Sequence, residues 1–356
     1  MATTFKTLTN NDVASTRTLL HEAIPITGTI CSGTYVADGN VKNYSHGMFQ
    51  TVYDYPYLSS SANQVFDITF GYSNNSELSG AANSQNAKKI NIYNQMAQVL
   101  VGHDATGSIK EFDKDGDLSG GTKITDAIFL NFARLLSKDE VKKGSFEIKL
   151  LTGSTTAAPN NILTISDYQG STNYRTNSPA GEYGVLYTSS ATPSANSGVG
   201  LVYYQAGVVV LTSSVFSNDP TGLGSSVLCD FGNPSTFKTT GEGGINASLT
   251  GSNINTNADA FRNRLQNIKF NNTTELNSTI YFCRANHNDF NYSSNPTYLS
   301  GSKIRVKENS TDSSVSYITT VGLYSADNEL LAVAKLSEPI KKTPETELTL
   351  RVRLDY

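Results

Sequence analysis

The chain has 356 residues, of which only 16% are charged, and its formal net charge is −4. So weak and acidic a balance excludes nucleic acid as the main partner, since duplex binding is driven by clustered Lys and Arg. Aromatic residues make up 10% of the chain, which argues against disorder, and the abundance of Ser, Thr, Asn and Gly fits strands joined by many turns.

The opening residues, MATTFK, carry no apolar signal core. A short helix is expected over residues 11–22, where Val13, Leu19 and Leu20 are apolar. After it come Gly28, Gly33 and Gly39 and a Tyr-rich stretch, Tyr53-Asp54-Tyr55-Pro56-Tyr57, which read as an arm or extended segment. Residues 65–70 alternate as a strand, with Phe66, Ile68 and Phe70 on one side and Asp67 and Thr69 on the other.

Two helices are expected next. In residues 86–101, Ile90, Tyr93, Ala97, Leu100 and Val101 share a face, and Gly102 is a plausible stop. In residues 124–137, Ile124, Ile128, Phe132, Leu135 and Leu136 form the stripe. Together they would make an antiparallel helical hairpin around an acidic, Gly-rich loop.

From residue 145 the period becomes two: Phe146, Ile148 and Leu150 alternate with Glu147 and Lys149. Further strands are expected at 184–187, at 199–204 and at 208–211, the last two flanking the turn Gln205-Ala206-Gly207. Residues 217–256 read as loops, and 257–268 as a helix with Ala258, Phe261, Leu265 and Ile268 on one face. Strands follow at 279–285, 317–324, 329–336 and 347–356, with a loop over 286–302. The expected fold class is mainly β (α+β), in β-sandwich-like lobes carrying the helical hairpin. Four segments are expected: an arm and extended segment over 1–64, a strand plus helical insert over 65–144, a β-rich part with long loops over 145–256, and a helix followed by a β-domain over 257–356.

No run of about 18 apolar residues predicts a membrane-spanning helix. The alternation Leu348, Leu350, Val352, Leu354, Tyr356 could end an outer-membrane barrel, but no ladder of similar strands precedes it. The cysteines, Cys31, Cys229 and Cys283, are three and far apart, which supports neither a zinc site nor a disulfide framework.

Catalytic patterns are missing. His21, His46, His103 and His287 occur in no HExxH, there is no G-x-S-x-G, and the glycines of 241–244 lack the Lys-Ser/Thr of a phosphate loop. No enzyme, catalytic residue or cofactor is therefore expected, although paired carboxylates can meet in space without a sequence signature. The one metal candidate is a calcium loop counted from Asp115, with Asp115, Asp117 and Ser119 at positions 1, 3 and 5, Gly120 at 6 and Asp126 at 12. Asp at position 12 and Thr122 at position 8 depart from that pattern, and a solvated acidic turn is the plainer alternative.

Several strings carry a resemblance: LHEAIPITGTI (20–30), SHGMFQ (45–50), KKINIYNQMA (88–97), ANHNDFNYSSNP (285–296), TVGLY (320–324) and LAVAKL (331–336). Together they resemble a family of virion structural proteins from contractile-tailed phages, particularly those of marine cyanobacteria. The resemblance implies a part of the particle, assembled in the host cytoplasm, whose partners are other virion proteins and copies of itself. A tail, baseplate or adaptor position is expected, with a capsid or neck surface protein and a host-glycan-binding adsorption module as alternatives. Aromatics are favoured in interface cores, so Phe49, Tyr53, Tyr55, Tyr57, Phe290, Tyr292 and Tyr298 are the candidate contact residues.

Overall fold

The computed structural model describes residues 5–26, 38–80, 82–151, 162–188, 197–216, 249–292, 299–300, 303–304, 311 and 313–356. The expected mainly-β class holds: antiparallel sheets dominate, with two helices longer than one turn among the described residues. Cys31, Cys229 and Tyr298 lie outside the described residues. The chain divides into two units, residues 20–274 and residues 1–19 with 275–356.

The larger unit is built on a seven-stranded antiparallel sheet. Its order is Tyr183–Leu186, Gly200–Tyr203, Val208–Thr212, Asp126–Phe132, Gln64–Tyr72, Gln50–Tyr53, Val41–Asn43. The segment read as an arm thus supplies the last two strands of this order. Along Gln64–Tyr72, Phe66, Ile68 and Phe70 are fully buried, and their ladder partners on the next strand are Phe132, Leu130 and Ile128. On this face Phe132 meets Phe270 at 5.0 Å and Phe146 at 6.0 Å, and Phe70 meets Phe261 at 6.5 Å. Phe146 and Phe270 belong to the region of a second antiparallel pairing, Glu147–Leu151 with Leu265–Ala285, in which Ile148 stands opposite Ile268. Two sheets therefore share one aromatic core, as the alternating patterns predict.

Side chains of successive strand residues point to opposite faces, so Thr69, Gly71 and Phe129 look the other way. Helix Asn86–Leu100 covers that face, with Tyr93 against Phe129 (6.3 Å) and Phe112 (5.4 Å). Its approach is close because residue 71 is glycine. A Cβ there would lie 2.7 Å from the Lys89 carbonyl oxygen and 2.9 Å from the Tyr93 nitrogen.

The second expected helix, 124–137, is a correction, and the helical hairpin goes with it. Asp126–Phe132 is a strand, and only Arg134–Ser137 is helical. Ala127, Ile128, Phe129 and Leu130 are all fully buried between two neighbouring strands and two covering layers. A strand buried on both faces reads as a continuous apolar run, which the helical spacing of Ile124, Ile128 and Phe132 mimicked. Residues 11–22 are a second correction. After a single turn at Asn10–Asp12 the chain runs as strand Val13–Ile26, with Leu19 and Leu20 about half exposed. Thr16 and Thr18 favour the extended form, and Pro25 is tolerated because the strand ends its sheet order. The third helix covers Ile254–Arg264 and starts earlier than expected, at Asn253, whose side chain accepts from the Thr256 amide at 2.8 Å. Ile268 is buried in the following strand instead.

The smaller unit differs in kind. Ser278–Ala285 of the long strand pairs with Leu348–Asp355, and Ser316–Tyr324 pairs with Leu330–Lys342 as a separate two-stranded ribbon. Among the described residues of this unit, only Ala285 and Val352 are buried apolar side chains.

Two predictions follow from the larger unit. Gly71→Ala forces the helix off its sheet and is expected to lower unfolding stability by about 1–3 kcal/mol, measurable by urea titration. The second concerns pH. Lys89 is fully buried, donates to the carbonyls of Ser84 (2.8 Å), Ser252 (2.7 Å) and Leu249, and burial lowers its pKa to about 8. The unfolded chain keeps that proton to the ordinary 10.5, so stability rises with pH between those values. Burial raises the hydroxyls of Tyr93, Tyr183, Tyr203 and Tyr204 above the ordinary 10.0, so past that pH the unfolded chain ionises first and stability falls. Urea midpoints measured from neutral to strongly alkaline pH should show a maximum just below pH 10, and Lys89→Met should remove the rising limb.

Candidate functional site

Two kinds of feature bear on function: an acidic loop in the larger unit and an apolar surface on the smaller one. The loop is closed by a minimal hairpin in which Phe112 pairs with Ile124 and Asp113 with Lys123. Between them the backbone turns through four left-handed residues, Gly116 (φ +71°), Leu118 (+61°), Gly120 (+67°) and Gly121 (+63°). These turns bring the carboxylates of Asp113, Asp115 and Asp117 together, with one oxygen of each within 4.8 Å of the others.

The three acids stand at different depths: Asp113 is fully buried, Asp115 half-buried and Asp117 exposed. Asp113 Oδ2 accepts from Lys123 Nζ at 2.6 Å, while its Oδ1 is buried without a hydrogen-bond partner. Burial raises the Asp113 pKa, and the Asp115 and Asp117 charges raise it further against the pull of Lys123.

The loop is braced from behind. Tyr183 Oη lies 2.7 Å from both the Gly116 carbonyl and Asn177 Oδ1, with one proton to share between them. Asn177 Nδ2 donates to the Asp117 carbonyl at 3.0 Å, and the Arg175 guanidinium to the Asp115 carbonyl at 3.2 Å. Gly198 packs so close to Lys114 that a Cβ would lie 1.9 Å from its carbonyl oxygen.

The cluster unites only part of the set expected from sequence. Asp115 and Asp117 are in it. Ser119 contributes its amide, donated to Asp117 Oδ1 at 2.7 Å. Asp126 stands apart in its strand, where it accepts from Ser76 and from Thr125 Oγ1 (3.2 Å) and burial raises its pKa. Asp113 takes its place, and the signal for it was the uninterrupted Asp-x-Asp-x-Asp spacing.

The candidate contact aromatics also divide. Phe49 is half-buried against Tyr44 (4.9 Å) and His46 (5.1 Å), and Tyr53 packs with Tyr57 at 6.3 Å. Tyr55 stands 58% exposed and the neighbouring Leu58 86%. Phe290 is 45% and Tyr292 65% exposed in the smaller unit. The ribbon beside them forms where strands were expected at 317–324 and 329–336, but its exposed side chains were not among the expected contact residues. Val321 and Leu323 pair with Ala334 and Ala332, while Tyr317, Tyr324, Leu331 and Val333 stand well exposed. Their signal was a strand in which both alternating positions are apolar, at Leu330 to Ala334.

Polar contacts hold this unit together where a core is scarce. Lys6 pairs with Asp289 at 2.6 Å, Arg284 with Asp12 at 2.8 Å, and fully buried Lys342 donates to Asn291 Oδ1 at 2.8 Å and the Thr343 carbonyl at 2.9 Å. Phe5 rests edge-on against Tyr324 at 4.8 Å.

Removal of the brace tests how firmly the loop is held. Tyr183→Phe deletes the hydroxyl that serves the Gly116 carbonyl and is expected to cost about 1 kcal/mol of unfolding stability by urea titration, with faster amide exchange at residues 114–118.

No protein-family model matches this chain, and no characterised protein and no solved structure matches it either.

Proposed function

We propose that the chain is a structural subunit of a tailed-phage virion, in the tail or baseplate, acting through protein–protein interfaces and performing no catalysis. The observation that carries this reading is the imbalance of burial between the two units. Every residue of the hydrophobic core cluster lies in residues 20–274. The smaller unit buries only Ala285 and Val352 among its described apolar side chains, yet it exposes Leu331 at 68%, Tyr292 at 65%, Tyr317 at 59% and Val333 at 57%.

A free polypeptide of this size ordinarily buries most of its apolar surface, and an isolated two-stranded ribbon is marginal in water. Its exposed ion pairs contribute at most about 1 kcal/mol each, too little to replace a core. Apolar surface of this kind fits a subunit that completes its packing against neighbouring chains, and Tyr-rich patches suit interface cores. The strings at 285–296, 320–324 and 331–336 that resemble virion proteins include Phe290, Tyr292, Leu331 and Val333 of this surface.

The test is incorporation. Mass spectrometry of purified particles, disrupted into head and tail fractions, should find the chain in tails at a fixed copy number. Leu331→Asp with Val333→Asp should abolish incorporation while leaving the unfolding midpoint of the larger unit unchanged. A head signal would move the subunit to the capsid or neck, and absence from particles would overturn the reading.

A further inference from the structure

The geometry points to a calcium site in the 113–121 loop, with Asp113, Asp115 and Asp117 as its carboxylate ligands. This inference is independent of the assembly reading. An acidic turn alone would be unremarkable, since exposed carboxylates repel and are usually solvated. Here the deepest of the three is not solvated. Asp113 is fully buried, its Oδ2 is occupied by Lys123, and its Oδ1 has no hydrogen-bond partner. A buried carboxylate oxygen left without a donor is costly, and such an atom calls for a ligand.

That oxygen is directed into the cluster. A single point beside Gly121, where a side-chain Cβ would stand, is 3.3 Å from Asp113 Oδ1 and 3.5 Å from Asp115 Oδ2. Glycine at 121 therefore leaves open the space on which the two carboxylates converge. Asp117 closes the set from the solvent side.

The chemistry of the donors selects the ion. All three are carboxylates, with no His or Cys among them, which favours a hard divalent cation over zinc or copper. Calcium takes oxygens at about 2.3–2.6 Å in flexible geometry, so ligands up to roughly 4.6–5.2 Å apart can share one ion, and the three carboxylate oxygens lie within 4.8 Å of one another. Magnesium demands near-ideal octahedral geometry and dehydrates reluctantly, so it gains less from three protein carboxylates. Counted from Asp113, the acids fall at positions 1, 3 and 5 of a calcium loop. Position 6, where such loops place glycine for a sharp turn, is Leu118, which adopts the required left-handed conformation (φ +61°). The bonds from Arg175, Asn177 and Tyr183 fix the loop carbonyls from outside, as groups behind a metal site do.

The experiment uses the full chain with terbium as a luminescent calcium substitute. Tyr183, bonded to the loop at Gly116, is placed to sensitise it. Terbium emission should rise to saturation, be displaced by Ca2+ at sub-millimolar concentration, and resist equal Mg2+. Asp113→Asn risks misfolding, so the informative variants are Asp117→Asn and Asp115→Asn. Each keeps the side-chain oxygen that accepts a loop amide while losing a charge. Each should weaken calcium binding about tenfold or more, with the calcium-free unfolding midpoint not lowered. Absence of calcium-displaceable emission, or equal affinity in wild type and both variants, would overturn the site and leave an acidic turn neutralised by Lys123.

Discussion

The larger unit depends on one constraint: the strand Asp126–Phe132 has no face free for water. It is paired on one edge with Gln64–Tyr72 and on the other with Val208–Thr212, and Ala127 to Leu130 are all fully buried. Its odd and even residues therefore serve two separate interiors. Ile128, Leu130 and Phe132 belong to the aromatic core between the sheets, while Phe129 belongs to the layer under helix Asn86–Leu100. Both layers are positioned by this strand and its neighbour, down to the backbone contact at Gly71. The acidic loop inherits its place from the same construction, because its return strand ends at Ile124, just before Asp126 begins the central strand.

The smaller unit obeys a different economy of contacts. Its strands Ser316–Tyr324 and Leu330–Lys342 pair with each other as a two-stranded ribbon and several of its charges are in ion pairs, but its apolar side chains are little buried among the described residues. Packing to the density of a protein interior is what gives a domain a single ordered state. The described residues of the smaller unit bury little apolar surface, and under the proposed reading the unit completes that packing against neighbouring chains.

Legibility in the sequence followed burial. Helix Asn86–Leu100 buries one face, so its stripe of Tyr93, Ala97 and Leu100 announced itself. The hairpin Gly200–Tyr203 and Val208–Thr212 was marked by its turn. Asp126–Phe132 was opaque because double burial erases the two-residue period, leaving an apolar run whose spacing happens to suit a helix. Val13–Ile26 was opaque for the opposite reason: mostly exposed, it has no buried face to impose a pattern. In the acidic loop, Asp115 and Asp117 were readable from their spacing. Asp113 was passed over because the expected glycine at the sixth position is Leu118, whose left-handed backbone is set by the fold and not by its residue type.

The ladder joining Gln64–Tyr72 to Asp126–Phe132 has a consequence in time. It matches residues as distant in sequence as Phe66 and Phe132, and the next ladder reaches on to Val208. The entropy of closing such loops is lost before any contact rewards it, so folding that waits on these pairings is slow. Until the last ladder closes, strands such as Val208–Thr212 stand open with apolar faces and unpaired edges. A chain made this way is most exposed to wrong partners during its own synthesis, before its right ones are present.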